Sequence, residues 1–189
     1  DLVFQNTSLR KPEDEAMEQY ALPDGALVKE WYWHKVGQCR KRLQKILRHT
    51  QNIRSLFEIG AASGQMIFAA QELGIDAWGI EIAAESKKIH DAVGLKTILI
   101  GDFLKTEIQR KFDLVVSIHS LEHMADLDGA VEKMKHILEP GGRIYLEVPV
   151  YHTIDRYLDP KIRDNIFDFP FHFYVFSKKS VCYLLKKHN

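Results

Sequence analysis

The sequence predicts an α/β fold, a parallel sheet joined by right-handed crossovers. Short apolar runs of strand length recur at 56–59, 76–81, 96–100, 112–118 and 143–148. Helical spacing fills the gaps: Met66-Ile67-Phe68-Ala69-Ala70, then 83–93, then Leu127, Val131, Met134, Ile137 and Leu138, with Pro140-Gly141-Gly142 expected to stop that helix. The first of these strands passes into its helix through the tight turn S-L-F-E-I-G-A-A-S-G-Q (55–65).

The 189 residues suffice for one domain with a proper core. Acidic and basic residues balance at 26 each, so the molecule as a whole shows no bias toward polyanions. Two cysteines, Cys39 and Cys182, are too few for a disulfide framework, and a reduced, cytoplasmic setting is expected. No apolar run has membrane-spanning length and no signal-peptide pattern opens the chain, so no membrane partner is expected.

Residues 1–50 read as an N-terminal helical extension and 51–189 as the main domain. Pro12 with Glu13, Asp14 and Glu15 suits a short helix start, and Pro23-Asp24-Gly25 reads as a turn. From 27 to 49, Val28, Trp31, Tyr32, Cys39, Leu43, Ile46 and Leu47 mark an apolar helical face. The opposite face is basic, with eight Lys or Arg between Lys29 and Arg54 against one acid, Glu30. A solvated face explains this, and so does contact with an anionic substrate or RNA.

The glycine turn carries the chemistry. Gly60 lets the chain turn sharply after the strand, and Gly64 lets a ligand approach the backbone where a helix offers unpaired N–H groups. The dinucleotide pattern G-x-G-x-x-G requires glycines at 60, 62 and 65, but the chain has Gly60, Ala62 and Gln65. The tighter spacing E-x-G-x-x-x-G, with Ala61 and Ala62 inside it, resembles motif I of the class I S-adenosylmethionine (SAM)-dependent methyltransferases. Ala62 stands at that motif's middle glycine, a change compatible with the role if its φ is negative. Glu81 ends the second strand, where a carboxylate can accept both hydrogen bonds of a ribose diol. Asp102 ends the third and can accept from an adenine amino group, with Ile82 or Phe103 packing on the ring; a turn residue after Gly101 is the plainer account of Asp102. Glu58 is an acid inside an apolar strand, costly unless paired, and a ligand's ammonium group would pair it. Ser117, near the end of the fourth strand, completes the set of residues expected around the cofactor.

Two further segments, F-D-L-V-V-S-I-H-S-L-E-H-M (112–124) and L-E-P-G-G-R-I-Y-L-E-V-P (138–149), resemble the motifs after strand 4 and around strand 5 of small-molecule class I methyltransferases, among them the ubiquinone-biosynthesis type. The run from His172 to Asn189 resembles their late His, Phe-Ser and helix pattern. The resemblance covers about residues 50–189. It implies a Rossmann-like, doubly wound sheet ordered 3-2-1-4-5, SAM as cofactor, S-adenosylhomocysteine as product, and a small-molecule acceptor. The family's 7-6 edge hairpin is expected to be missing or truncated, as in a trimmed domain, because the chain ends where it should begin. A nucleic-acid methyltransferase using the basic helix, and a non-catalytic binding module, are the alternatives.

His119 and His123 follow the fourth strand, where an acceptor would lie. Histidine ionises close to neutral pH, so either suits a general base for a hydroxyl acceptor; His123 suits a structural hydrogen bond equally. H-S-L-E-H (119–123) also matches the inverted zinc-protease pattern, but that motif needs a helix and here it begins at a strand end. Some methyltransferases bind a divalent ion at this loop, but His119 stands where those have a carboxylate, and no metal is expected. Tyr151, Tyr157, Phe167, Phe169, Phe171, Phe173 and Tyr174 suggest an aromatic cover over the acceptor, or packing onto the sheet.

Overall fold

The structure, a computed structural model, describes residues 3–4, 27–50, 52–150 and 172–188. It divides into two compact units. One holds the described residues of 27–118 and of 133–146; the other holds 3–4, 119–132, 147–150 and 172–188. The elements in chain order are β1 (Val3–Phe4), α1 (Leu27–Arg48), β2 (Ser55–Ile59), α2 (Gln65–Glu72), β3 (Asp76–Glu81), α3 (Lys87–Ala92), β4 (Ile98–Ile100), β5 (Phe112–Ile118), α4 (Leu127–His136), β6 (Leu138–Glu147), β7 (Tyr174–Val175) and α5 (Lys178–Lys187). Short 3₁₀ turns lie at Ala84–Ser86 and Leu121–His123.

The larger unit carries a five-stranded sheet in the order β4-β3-β2-β5-β6. Counted from β2, this is the expected 3-2-1-4-5 arrangement, and β2–β3, β2–β5 and β3–β4 all pair in parallel. β2 and β5 are central strands, so Leu56 to Ile59 and Leu114 to Ser117 are buried in continuous runs rather than alternating. Asp113 fixes the entry to both strands. Its Oδ2 accepts from the Arg54 and Ser55 backbone N–H groups, each at 2.9 Å, and from Ser55 Oγ at 3.1 Å. Against a burial effect that would raise it, these donors hold the Asp113 carboxyl below the usual carboxylate range.

α1 belongs to this same unit. Leu43 and Ile46 enter the core beside Leu56 of β2 and Met66, Ile67 and Ala70 of α2, while Tyr32, Val36 and Ala69 form an adjoining cluster. Arg40 pairs with Glu72 across the two helices. Trp31 is not on the buried face: it is 39% exposed, because the burying stripe runs through Tyr32, Val36, Leu43 and Ile46. α4 ends at His136, before the Pro-Gly-Gly signal, and β6 runs through that signal from Leu138. Glycine is needed at 142, where a Cβ would meet the Glu139 and Phe112 carbonyl oxygens at 2.9 and 3.1 Å.

In the smaller unit β1 pairs antiparallel with β7, Phe4 opposite Tyr174. Tyr174 donates its hydroxyl to the Ala125 carbonyl at 2.7 Å. α5 starts from a capping box in which Ser177 Oγ accepts from the Ser180 N–H and Ser180 Oγ accepts from the Ser177 N–H. Its end is anchored by Lys187 and His188 on the Asp128 carboxylate, each at 2.6 Å. The expected helix at Pro12, the turn at Pro23 and the aromatic residues from 151 to 171 lie outside the described residues. Among the described residues no helix is long and apolar enough to cross a membrane.

Candidate active site

The glycine turn forms at the carboxyl end of β2, the location where open α/β sheets bind ligands. The Gly60 and Ala61 N–H groups both donate to the Ile80 carbonyl, at 2.9 and 3.0 Å, which folds the loop onto β3. Gly60 and Gly64 take φ of +73° and +82°, as the turn requires. A Cβ on Gly64 would also lie 2.5 Å from Leu95 Cδ1, so a side chain there would have to displace Leu95. Gly79 of β3 plays the matching part beneath the loop, where a Cβ would meet Ala61 Cβ at 3.0 Å and the Glu58 carbonyl at 3.1 Å.

Ala62 departs from expectation. Its φ is +46°, left-handed rather than negative, so the residue adopts the backbone that glycine would supply. Two partners hold it there. Glu81 Oε2 accepts from the Ala62 N–H at 2.7 Å, and His90 Nε2 donates to the Ala62 carbonyl at 2.7 Å. The other Glu81 oxygen accepts from the Ala83 N–H at 2.8 Å. Glu81 is thus a buried loop anchor as well as a candidate ribose acceptor, with lone pairs still available on both oxygens. No sequence motif pointed to His90, which reaches the loop from α3 and is 2% exposed.

Glu58, on β2 beside Gly79, is buried, and its Oε2 has no hydrogen-bond partner among the described residues. Burial, reinforced by the Glu81 carboxylate, pushes the Glu58 carboxyl well above its ordinary range; the Arg42 charge offsets only part of this. α1 borders this acid: burial, with Glu58 adding, raises the Cys39 thiol to about 11. Ser117, opposite Ile59, is fully buried, and its Oγ likewise lacks a hydrogen-bond partner among the described residues.

Asp102 and Phe103 are committed locally. Asp102 Oδ1 caps a turn by accepting from the Leu104 N–H at 2.8 Å, and Oδ2 lies 3.1 Å from Lys105 Nζ. Phe103 is buried against Phe57, centroids 6.5 Å apart, under Lys133 Nζ at 5.2 Å. Ile82, by contrast, is 54% exposed.

The smaller unit holds a second polar group. His119 follows β5 in the chain with φ of +51°, another left-handed residue that is not glycine. Its Nδ1 lies 3.6 Å from Glu122 Oε1 and its Nε2 lies 3.4 Å from Glu147 Oε1. Glu122 is fully buried, and neither carboxyl oxygen has a hydrogen-bond partner among the described residues. Glu122, His123 and His172 each offer one donor atom within 4.8 Å of the others, an arrangement that could hold a metal ion. His123 and His172 meet edge to face with centroids 4.8 Å apart. The local sequence groups His119, Glu122 and His123; His172 joins through the fold, because 47 residues lie between it and Met124.

Comparison with known proteins agrees with this geometry. A family model described as a methyltransferase domain matches residues 32–189. A ubiquinone biosynthesis O-methyltransferase of Bordetella avium is 27% identical over 119 residues, covering 59% of this chain and 49% of that protein. The chain therefore spans about half the length of that curated relative. Among solved structures, DesVI of Streptomyces venezuelae aligns at a TM-score of 0.54 and 23% identity, over 66% of this chain and 57% of that one. The glycopeptide N-methyltransferase MtfA, solved with SAM, aligns at 0.52 and 17% identity, over 60% and 55%. With the sheet order, the glycine turn and a family match over most of its length, the chain belongs to the methyltransferase-domain family, within the class I SAM-dependent methyltransferase superfamily.

Proposed function

We propose that this chain binds SAM over the 60–64 loop and transfers its methyl group to a small-molecule acceptor, with oxygen as the first acceptor to test. The observation that carries the reading is Glu58: a buried carboxyl whose Oε2 has no hydrogen-bond partner among the described residues, near the carboxyl end of a central parallel strand that leads into a left-handed loop. An acid in that position calls for a cation from a ligand, and the ammonium of SAM provides one, whereas an adenine dinucleotide has nothing cationic to offer there. The bound sulfonium supplies a methyl group ready for in-line displacement. The chain's own residues would hold the ligand: Glu58 the ammonium, Glu81 the ribose, Ile82 the adenine face, and Gly60, Ala61, Ala62 and Gly64 the backbone path. Ser117 and Asp102 are the further contacts proposed, with Asp102 needing to share its turn-capping carboxylate.

On the acceptor side, His119 is the proposed base and His123 a supporting residue. For a hydroxyl acceptor, His119 would take the proton that the acceptor gives up on methylation. The adjoining Glu122 and Glu147 carboxylates stabilise the imidazolium so formed. The named relatives include an O- and an N-methyltransferase, and an amine acceptor would not require this base.

Calorimetry with SAM, S-adenosylhomocysteine and NAD side by side tests the reading. Binding of the first two and not the third is expected; tight NAD binding alone would overturn it. A nucleic-acid acceptor is the second reading, favoured by the exposed Lys35, Lys41, Arg42, Lys45 and Arg48 on α1. It requires RNA binding that weakens steeply with salt.

A further inference from the structure

We propose that His90 is a positioning residue that, together with Glu81, replaces a glycine: the two hold Ala62 in the left-handed conformation that shapes the cofactor loop. The proposal rests on the SAM-binding reading above and extends it to a residue outside the loop.

Ala62 is exposed and carries only a methyl group, so it has no side-chain polar atom with which to stabilise a positive φ locally, as Asn or Asp would. Something outside the residue must offset the cost. The structure shows both backbone groups of Ala62 engaged at 2.7 Å, the N–H by the Glu81 carboxylate from β3 and the carbonyl by the His90 ring from α3. A carbonyl oxygen only accepts, so His90 Nε2 carries the proton. The ring is itself fixed. It is buried, its backbone carbonyl accepts from the Leu95 N–H at 2.8 Å, and its Cδ2 lies 3.5 Å from where a Gly64 Cβ would stand. His90 therefore touches the loop at Ala62 and borders it at Gly64, between the two points where the chain turns.

A clamp of this kind predicts non-additivity, because its role vanishes once residue 62 adopts positive φ unaided. The test compares the wild type with Ala62→Gly, His90→Phe and the double variant. The readouts are S-adenosylhomocysteine affinity by calorimetry and the denaturant midpoint. With Ala62 present, His90→Phe should weaken affinity about tenfold, the scale of a left-handed penalty on an L-residue. With glycine at 62 the same change should cost about threefold or less. His90→Gln, which keeps a side-chain N–H donor, should recover part of the loss and serves if His90→Phe does not fold. An equal loss from His90 substitution in both backgrounds would overturn the clamp and leave His90 a packing residue. If the wild type binds no S-adenosylhomocysteine, the SAM reading fails on its own. The clamp is then judged by whether the stability losses of the two substitutions are non-additive; additive losses overturn it.

Discussion

His119 is tied to Glu147 through both its backbone and its ring. Its N–H donates to the Glu147 carbonyl at 2.9 Å, and its Nε2 lies 3.4 Å from Glu147 Oε1. The same residue carries a positive φ of 51°, a backbone state that an L-residue with a ring side chain holds only where its surroundings impose it. If the acceptor is a hydroxyl, His119→Ala should lower turnover by ~10²–10⁴-fold while leaving S-adenosylhomocysteine affinity nearly unchanged, since the base acts only as the proton leaves. The wild-type rate should fall at acid pH as the imidazole becomes protonated, and the variant should lack that limb. The assay needs an acceptor screen of phenols, sugars and carboxylates. Wild-type rates for His119→Ala across the pH range would remove the residue from the chemistry.

Glu81→Ala should cost both ligand affinity and stability. The carboxylate anchors the loop through two backbone N–H groups, at 2.7 and 2.8 Å, so its removal leaves those donors unpaired. Hydrogen bonds to a charged group contribute ~1.5–3 kcal/mol, enough to weaken S-adenosylhomocysteine binding about tenfold or more. The denaturant midpoint should fall with it. Glu81→Gln keeps one carbonyl acceptor and should lie between the two. Unchanged affinity in folded Glu81→Ala would take Glu81 out of the site.

The strands were legible because their signals are local. Asp76–Glu81 and Phe112–Ile118 are apolar runs closed by clear breaks, and the structure places β3 and β5 on those bounds. The core helix face was legible through Tyr32, Leu43 and Ile46, but Trp31 misled because large apolar residues on a helix flank are often half-exposed. What the sequence could not carry is partnership across the fold. Glu81 reads from the sequence as a candidate ligand acceptor, while its two backbone partners depend on the loop closing over β3. His90 has no motif at all; its role comes from α3 placing a ring beneath Ala62. Phe103 reads from the sequence as a candidate for packing on the ring, and the fold adds Phe57 and Lys133 to its surroundings.

The Glu122, His123 and His172 cluster should discriminate between ions. The motif alone argued against a metal because His119 stands where a carboxylate would, which disfavours hard cations. His172 changes the donor set to two imidazoles and one buried carboxylate, which suits Zn²⁺ or Ni²⁺ over Mg²⁺. Zn²⁺ or Ni²⁺ should therefore raise the melting temperature of the purified protein after chelator treatment, by the equivalent of ~2.7 kcal/mol at a hundredfold excess over Kd. Mg²⁺ should do little, and His172→Ala should abolish the effect. No shift with any ion would leave this loop metal-free.

Glu58 should make both stability and ligand affinity depend on pH, in opposite directions. Its carboxyl is raised well above the ordinary 4.5, first by burial and then by the Glu81 charge. Below that ordinary value the group is protonated in the folded and unfolded chains alike, and its favourable contribution to stability is fully present. As pH rises above it, the unfolded chain releases the proton while the folded one retains it, so stability falls until pH passes the raised folded value. Glu58→Gln stays neutral throughout and should flatten that slope, with a higher denaturant midpoint than wild type at neutral pH. An ammonium ligand reverses the preference at the site, because it favours the charged carboxylate. SAM affinity should therefore rise with pH over the same window, and binding should release a proton to the buffer. Calorimetry in two buffers of different ionisation enthalpy reads that proton directly, and Glu58→Gln should abolish its release along with part of the affinity. Binding of SAM with no proton exchange at any pH, together with unchanged affinity in Glu58→Gln, would detach the ammonium from Glu58 and with it the observation on which the SAM assignment chiefly rests.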